Sequence, residues 1–154
     1  MAHVYVSDVI AQPVDSVWAF SRNYNGHGDW HPIIEKSEIE GGGPSDQVGC
    51  VRAFVTADGG FLRERLLTFS DADRFFTYSI LESPMPIRNY LATYRCTPIT
   101  EREATFVEWW ADFDVSPEDE ANIRERVGRN TFAAGIRAIA ERLQDHVDES
   151  RSSA

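Results

Sequence analysis

The chain has 154 residues and a formal net charge of −10, from 15 basic and 25 acidic side chains. That length favours one domain with a sizeable core, and the surplus of acids disfavours phosphate backbones and anionic membrane surfaces as partners. Hydrophobic residues make up 42% and charged residues 26%, a globular balance, while 4 Trp, 9 Phe and 5 Tyr supply large faces for a core or a ligand.

His3–Ile10 alternates and is rich in valine and tyrosine, which predicts a first strand. Pro13 suits a first helical turn, and Val14, Val17 and Trp18 share a helical face. Ser21 to Gly28 reads as a loop or broken helix, and Pro32 pushes His31 out of the helical region. Strands are then predicted at Ile33–Glu40, Gly49–Thr56, Phe61–Phe69, Arg74–Glu82, Ile87–Thr97 and Ala104–Asp114. They are separated by breaks such as Asp58-Gly59-Gly60 and Ser83-Pro84-Met85-Pro86. Such connections imply an antiparallel meander. Ser116-Pro117-Glu118-Asp119 has the marks of a helix start. Ile123, Val127, Phe132, Ile136, Ile139 and Leu143 carry the helical period to about Val147. Residues 1–147 are thus expected to form one domain, followed by a polar tail at 148–154.

Several strings in this order resemble one superfamily. Ala11-Gln12-Pro13-Val14-Asp15-Ser16-Val17-Trp18 is similar to its "apoevVW" opening and Trp30-His31-Pro32 to its W-x-P. Val48-Gly49-Cys50-Val51-Arg52 is similar to its "vGxxR" strand, and Thr105-Phe106-Val107-Glu108-Trp109 to its "T-x-V-x-W" last strand. The chain resembles the START-like superfamily of birch-pollen-allergen relatives and bacterial polyketide cyclase/dehydrase-type proteins (SRPBCC). From Val48 to Asp119 it also looks like the plant abscisic-acid receptors. The resemblance implies an α+β helix-grip fold. A seven-stranded antiparallel sheet would wrap around the long C-terminal helix and enclose a ligand cavity, with two short helices after the first strand.

Hydropathy alone buries Thr105, Val107, Trp109, Ala111 and Phe113 in the last strand. The receptor resemblance instead turns Glu108 and Trp110 inward, and that register is followed, because a ligand cavity needs polar groups. It implies a ligand-binding set of Trp30, Arg52, Phe54, Glu64, Tyr78, Ile80, Glu82, Tyr90, Glu108 and Trp110, closed by Phe132 and Ile136 from the helix. Thr56 and Leu66 share this inward parity. Each aromatic could equally be plain core. Arg52 could pair with Glu64 or Glu108, or anchor a ligand carboxylate with its planar fork. Glu108, Tyr90 and Glu64 are the candidate acid/base groups, with water-bridged polar lining as the blander reading.

The resemblance finds no counterpart of the pocket lysine of the receptors and of some condensing relatives, and Trp30 falls at the receptors' lysine position. His27-Gly28-Asp29-Trp30-His31 makes an H-x-D-x-H string, but Gly26, Gly28 and Pro32 argue against the helix that would bring both histidines together, so no metal is expected. No Walker loop, GxGxxG or Ser/His/Asp signature is present, and no cofactor is expected.

Cys50 and Cys96 read as reduced thiols, and neither a signal peptide nor a run of 18 apolar residues is visible, so a cytoplasmic location is expected. The loops Ala57–Phe61 and Ser83–Ile87 are expected to frame the cavity entrance. Three functions remain open. The first is a carrier or binder of a small hydrophobic or aromatic molecule, polyketide-, lipid- or hormone-like. The second is a cyclase or dehydratase on a polyketide-like substrate, and the third is an interaction or co-chaperone module. The expected partner is the small ligand, without nucleic acid or membrane insertion, in a monomer or homodimer.

Overall fold

The computed structural model describes residues 1–152. Seven strands form a single antiparallel sheet in the order β1-β7-β6-β5-β4-β3-β2. They span Ala2–Ile10 (β1), Ile34–Ile39 (β2), Val51–Thr56 (β3), Phe61–Ser70 (β4), Phe75–Glu82 (β5), Ile87–Pro98 (β6) and Thr105–Val115 (β7). From β2 to β7 every chain neighbour is also a sheet neighbour, as hairpin connections require, and β1 adds to the far side of β7.

Helices α1 (Val14–Ser21) and α2 (His27–Trp30) carry the chain from one edge of the sheet to the other. The terminal helix comprises α3 (Pro117–Glu125), a π-helical stretch over Arg126–Ala133, and α4 (Ala134–Ser152). Its first turn carries Glu118, Asp119 and Glu120, which complement the positive end of the helix dipole. Its inner face, with Ile123, Val127, Phe132, Ile136, Ile139 and Leu143 all buried, covers the concave face of the sheet. The helix therefore runs through Ser152, into the segment expected to be a polar tail. Of that tail, residues 153 and 154 lie outside the described residues.

One helical turn forms where the two glycines and Pro32 argued against any. α2 spans His27–Trp30, and His31 caps it in an extended conformation with φ −77° and ψ 126°, as a residue before proline should. Gly28 permits the turn to lie on β2, because a Cβ there would come within 2.8 Å of the Ser37 Cβ. The glycine that argued against a helix from propensity is what lets it pack.

Gly135 plays the same part under the terminal helix. A Cβ at this position would approach the Trp109 ring to 2.9 Å and the His31 ring to 3.1 Å. Both rings are held, Trp109 by stacking on Phe132 and His31 by hydrogen bonds, so neither can swing away. Gly135→Ala is expected to destabilise the protein by about 1–3 kcal/mol through overpacking, measured by urea denaturation. A stabilised variant would mean that the helix sits further from the sheet.

Candidate functional site

Between the concave face of the sheet and the π-helical stretch lies a cavity of about 460 Å³. Its strand-borne lining alternates as the pleat dictates: Arg52, Phe54 and Thr56 from β3, Leu62 and Glu64 from β4, Tyr78 and Ile80 from β5, Tyr90 from β6 and Trp109 from β7. His27, His31, Ile33 and Ile34 close one side. The loop residues Ala57, Asp58, Pro84 and Met85 meet Arg126 and its helical neighbours on another. The two loops expected to frame an entrance therefore do border the cavity, and Arg126 lies 3.7 Å from Asp58 between helix and loop.

The floor is ionic. Arg52 and Glu64 face each other in the β3–β4 register and are 3% and 5% exposed. Arg52 Nε donates to Glu64 Oε1 at 2.9 Å, Nη2 lies 2.7 Å from the same oxygen, and Nη1 donates to the Tyr24 carbonyl. The guanidinium carbon stands 3.8 Å from the centre of the Tyr24 ring and 4.8 Å from that of Tyr78, so aromatic faces sandwich the cation. Its donor fork is thereby committed to the protein. Burial pushes the Glu64 carboxyl above the usual carboxylate range, and the neighbouring Arg52 pulls it back part of the way.

Beside the ion pair runs a chain of hydrogen-bonding aromatics. Trp109 Nε1 donates to the Tyr78 hydroxyl at 2.9 Å, and Tyr78 in turn interacts with the Tyr90 hydroxyl. Burial pushes the phenols of Tyr78 and Tyr90 up, so both remain neutral donors at physiological pH.

Two buried histidines complete the polar lining, and they differ. Thr131 presents a carbonyl 2.8 Å from His31 Nε2, and the Ile33 N–H points at Nδ1 at 3.3 Å. A carbonyl only accepts, so Nε2 carries the proton and both nitrogens are used. His27 is packed edge-on against Phe54 at 4.7 Å, and neither ring nitrogen has a protein partner among the described residues. It lines both the main cavity and a small inner recess of about 10 Å³, bordered also by Tyr24 and Trp30, whose hydroxyl and Nε1 are buried without a partner among the described residues. Asp29, the acid of the H-x-D-x-H string, is exposed, and among the described residues no group of three or more His, Cys, Asp or Glu side chains is placed to hold a metal ion.

These rings give a pH dependence. Burial pushes His27 well below the ordinary imidazole value, with Arg52 and His31 adding to the effect, and burial also lowers His31. A group whose pKa falls on folding contributes stability that is complete above its unfolded value, about 6.5, and is lost as pH falls toward the folded value. Urea midpoints are therefore expected to decline below about pH 6.5, and His27→Phe should flatten the decline. A wild-type midpoint constant between pH 7 and pH 5 would contradict the burial of both rings.

Of the side chains expected inward, Arg52, Phe54, Thr56, Glu64, Tyr78, Ile80 and Tyr90 line the cavity. The others do not. Glu108 and Trp110 lie on the outer face of β7, where Glu108 accepts a 2.6 Å hydrogen bond from the Tyr5 hydroxyl and Trp110 packs against the Tyr5 ring. Trp109 points inward instead. The hydropathic alternation was the correct guide, and the register taken from the receptors was off by one residue, which reverses every side chain of a strand. Glu82 is exposed beside Arg63 at 4.0 Å. A bulge explains it: Glu64 faces Ile80 while Arg63 faces Glu82, so Leu81 is extra and the strand end turns over.

Trp30 borders the inner recess rather than the cavity. Phe132 and Ile136 are buried in the core behind it, Phe132 stacking on Trp109 at 4.9 Å. His27, His31 and Trp109 were missed as lining. Only Trp109 carried a usable signal, the alternation of its strand.

The sequence profile of a family described as polyketide cyclase / dehydrase and lipid transport matches residues 1–148. The chain belongs to this family. Comparison with curated protein sequences finds no match. Among solved structures, this polyketide cyclase / dehydrase and lipid transport family member is 33% identical to the protein XoxI from Bacillus cereus, with a TM-score of 0.78 and coverage of 94% of this chain and 97% of that one. A protein from Thermobifida fusca is 30% identical, with a TM-score of 0.82 over 92% of this chain and 93% of the other. The Zhui aromatase/cyclase from Streptomyces sp. R1128 is 22% identical, with a TM-score of 0.76 and 95% of each chain covered, a likeness of fold. In this family member no helix among the described residues is long and apolar enough to cross a membrane.

Proposed function

We propose that the chain binds a small apolar or aromatic molecule, polyketide-, lipid- or hormone-like, in the cavity between sheet and terminal helix. The observation that carries this reading is the hollow itself. About 460 Å³ falls within the size range of small-molecule sites, and aliphatic and aromatic walls surround a few convergent polar groups. The π-helical stretch supports it, since such departures from α-helical bonding recur at functional sites, and this one borders the cavity with Arg126, Val127, Asn130 and Thr131. Inside, an apolar body would pack on Phe54, Leu62, Ile80 and Trp109, while Tyr90 and His27 offer hydrogen bonds to a carbonyl or hydroxyl.

The test is native mass spectrometry of protein purified from its own host, followed by extraction of any bound molecule. A mass excess that disappears on denaturation is the expected result. Bare protein, with no binding from a panel of hydrophobic metabolites, would defeat the proposal.

One observation favours an enzyme, a cyclase or dehydratase, as the second reading. His27 is buried, neutral and borders the cavity, and its ring nitrogens have no hydrogen-bond partner among the described residues, so a small rotation of the ring would present a base to a substrate carbon or hydroxyl. Turnover lost in His27→Phe with ligand retained separates enzyme from carrier.

A further inference from the structure

The charge around the cavity is opposite in sign to that of the whole molecule. Its ionic lining consists of Arg52, Arg126, Arg129 and Arg137 with Asp58 and Glu64, an excess of two positive charges in a chain of net −10. These charges are segregated. Arg52 and Glu64 satisfy each other on the floor. Arg126 is shared with Asp58. Arg129 is exposed, and among the described residues its ion-pair partner is the exposed Glu125 one turn earlier, at 3.6 Å. Arg137 is exposed and has no ion-pair partner among the described residues. Two guanidinium groups thus border the opening with donors to spare, and the Asn130 amide lines the same wall.

We propose that this rim holds the anionic end of the ligand, so that the bound molecule is an amphiphile. Its apolar body lies in the cavity, and a carboxylate or phosphate ester reaches Arg129 and Arg137 at the mouth. The inference rests on the cavity reading above and names the substrate class for it. Planar guanidinium forks match the oxygen pairs of either anion. The acidic surface elsewhere does not oppose this, because charges further away than about 8 Å are screened at physiological ionic strength. Arg52, the other candidate anchor, is excluded by its commitment to Glu64 and the Tyr24 carbonyl.

Undecanoate, decyl phosphate and 1-decanol share a ten-carbon alkyl chain and differ only in the head, and the indole N–H resonance of Trp109 reports cavity occupancy by NMR. At about 0.15 M salt, where that screening holds, one or both anions are expected to bind roughly tenfold more tightly than the alcohol, and the difference between them identifies the head group. That advantage should shrink as salt is added. Arg129→Gln/Arg137→Gln should abolish it while decanol binding persists, which also shows that the variant is folded. An alcohol that binds the wild type as tightly as the anions, or an advantage that survives in the double variant, would overturn the rim proposal and leave the cavity reading standing. Failure of all three to shift Trp109 would overturn both.

Discussion

Replacing Arg52 by methionine is expected to destabilise the protein by about 3–5 kcal/mol, because it leaves the Glu64 carboxylate buried without its cation. The loss has three parts that act together. Glu64 is 5% exposed and has no second cation beside it among the described residues. The Tyr24 carbonyl loses the donor on Nη1, and the rings of Tyr24 and Tyr78 lose the cation between them. A carboxyl already pushed up by burial would respond by taking a proton, so the variant should be less unstable in acid than at neutral pH relative to the wild type. Arg52→Met/Glu64→Leu should recover most of the stability, since removing both charges removes the desolvation cost along with the attraction. Urea denaturation of the wild type, the single variant and the double variant decides the matter. A single variant within about 1 kcal/mol of the wild type would mean that the pair is hydrated rather than buried.

Trp109→Ala is expected to cost about 3–5 kcal/mol, and Trp110→Ala only about 1 kcal/mol, although the two tryptophans are neighbours on one strand. Trp109 is 4% exposed. It stacks on Phe132 at 4.9 Å, meets Tyr94 edge-on at 5.2 Å and donates to Tyr78. Its removal would extend the cavity into the core and leave the helix and the sheet without their shared ring. Trp110 lies half-buried on the outer face beside Tyr5, where water replaces what truncation removes. Thermal or urea unfolding of both variants tests the register of β7 directly. Equal losses, or a larger one at Trp110, would reverse the inward and outward faces of that strand and with them the lining described above.

Much of the architecture is legible along the chain. The alternation of Thr105 to Phe113, the turn chemistry of Asp58-Gly59-Gly60 and the capped, periodic stretch from Ser116 each depend on local residues, and local residues decide strands, turns and helix starts. The inward parity of the cavity-lining side chains on β3 to β6 was legible for the same reason: parity along a strand carries inward and outward faces until something interrupts it. A bulge at Leu81 interrupts it and sends Glu82 to the surface. β7 shows the converse, because its own alternation was sound and only a borrowed register displaced it.

The sequence by itself determined seven strands with hairpin-like connections, a first short helix, a long terminal helix and which strand residues share a face, since each follows from periodicity and turn residues close together in the chain. The single seven-stranded sheet and the second short helix came from the family resemblance. Only the tertiary structure decided that His27 is buried without a partner, that Gly135 lets Trp109 and His31 approach the helix, and that Arg129 and Arg137 stand at the mouth of the hollow. Those features arise between segments far apart in sequence, where the packing of helix on sheet sets burial, charge and space, and no local pattern records the outcome.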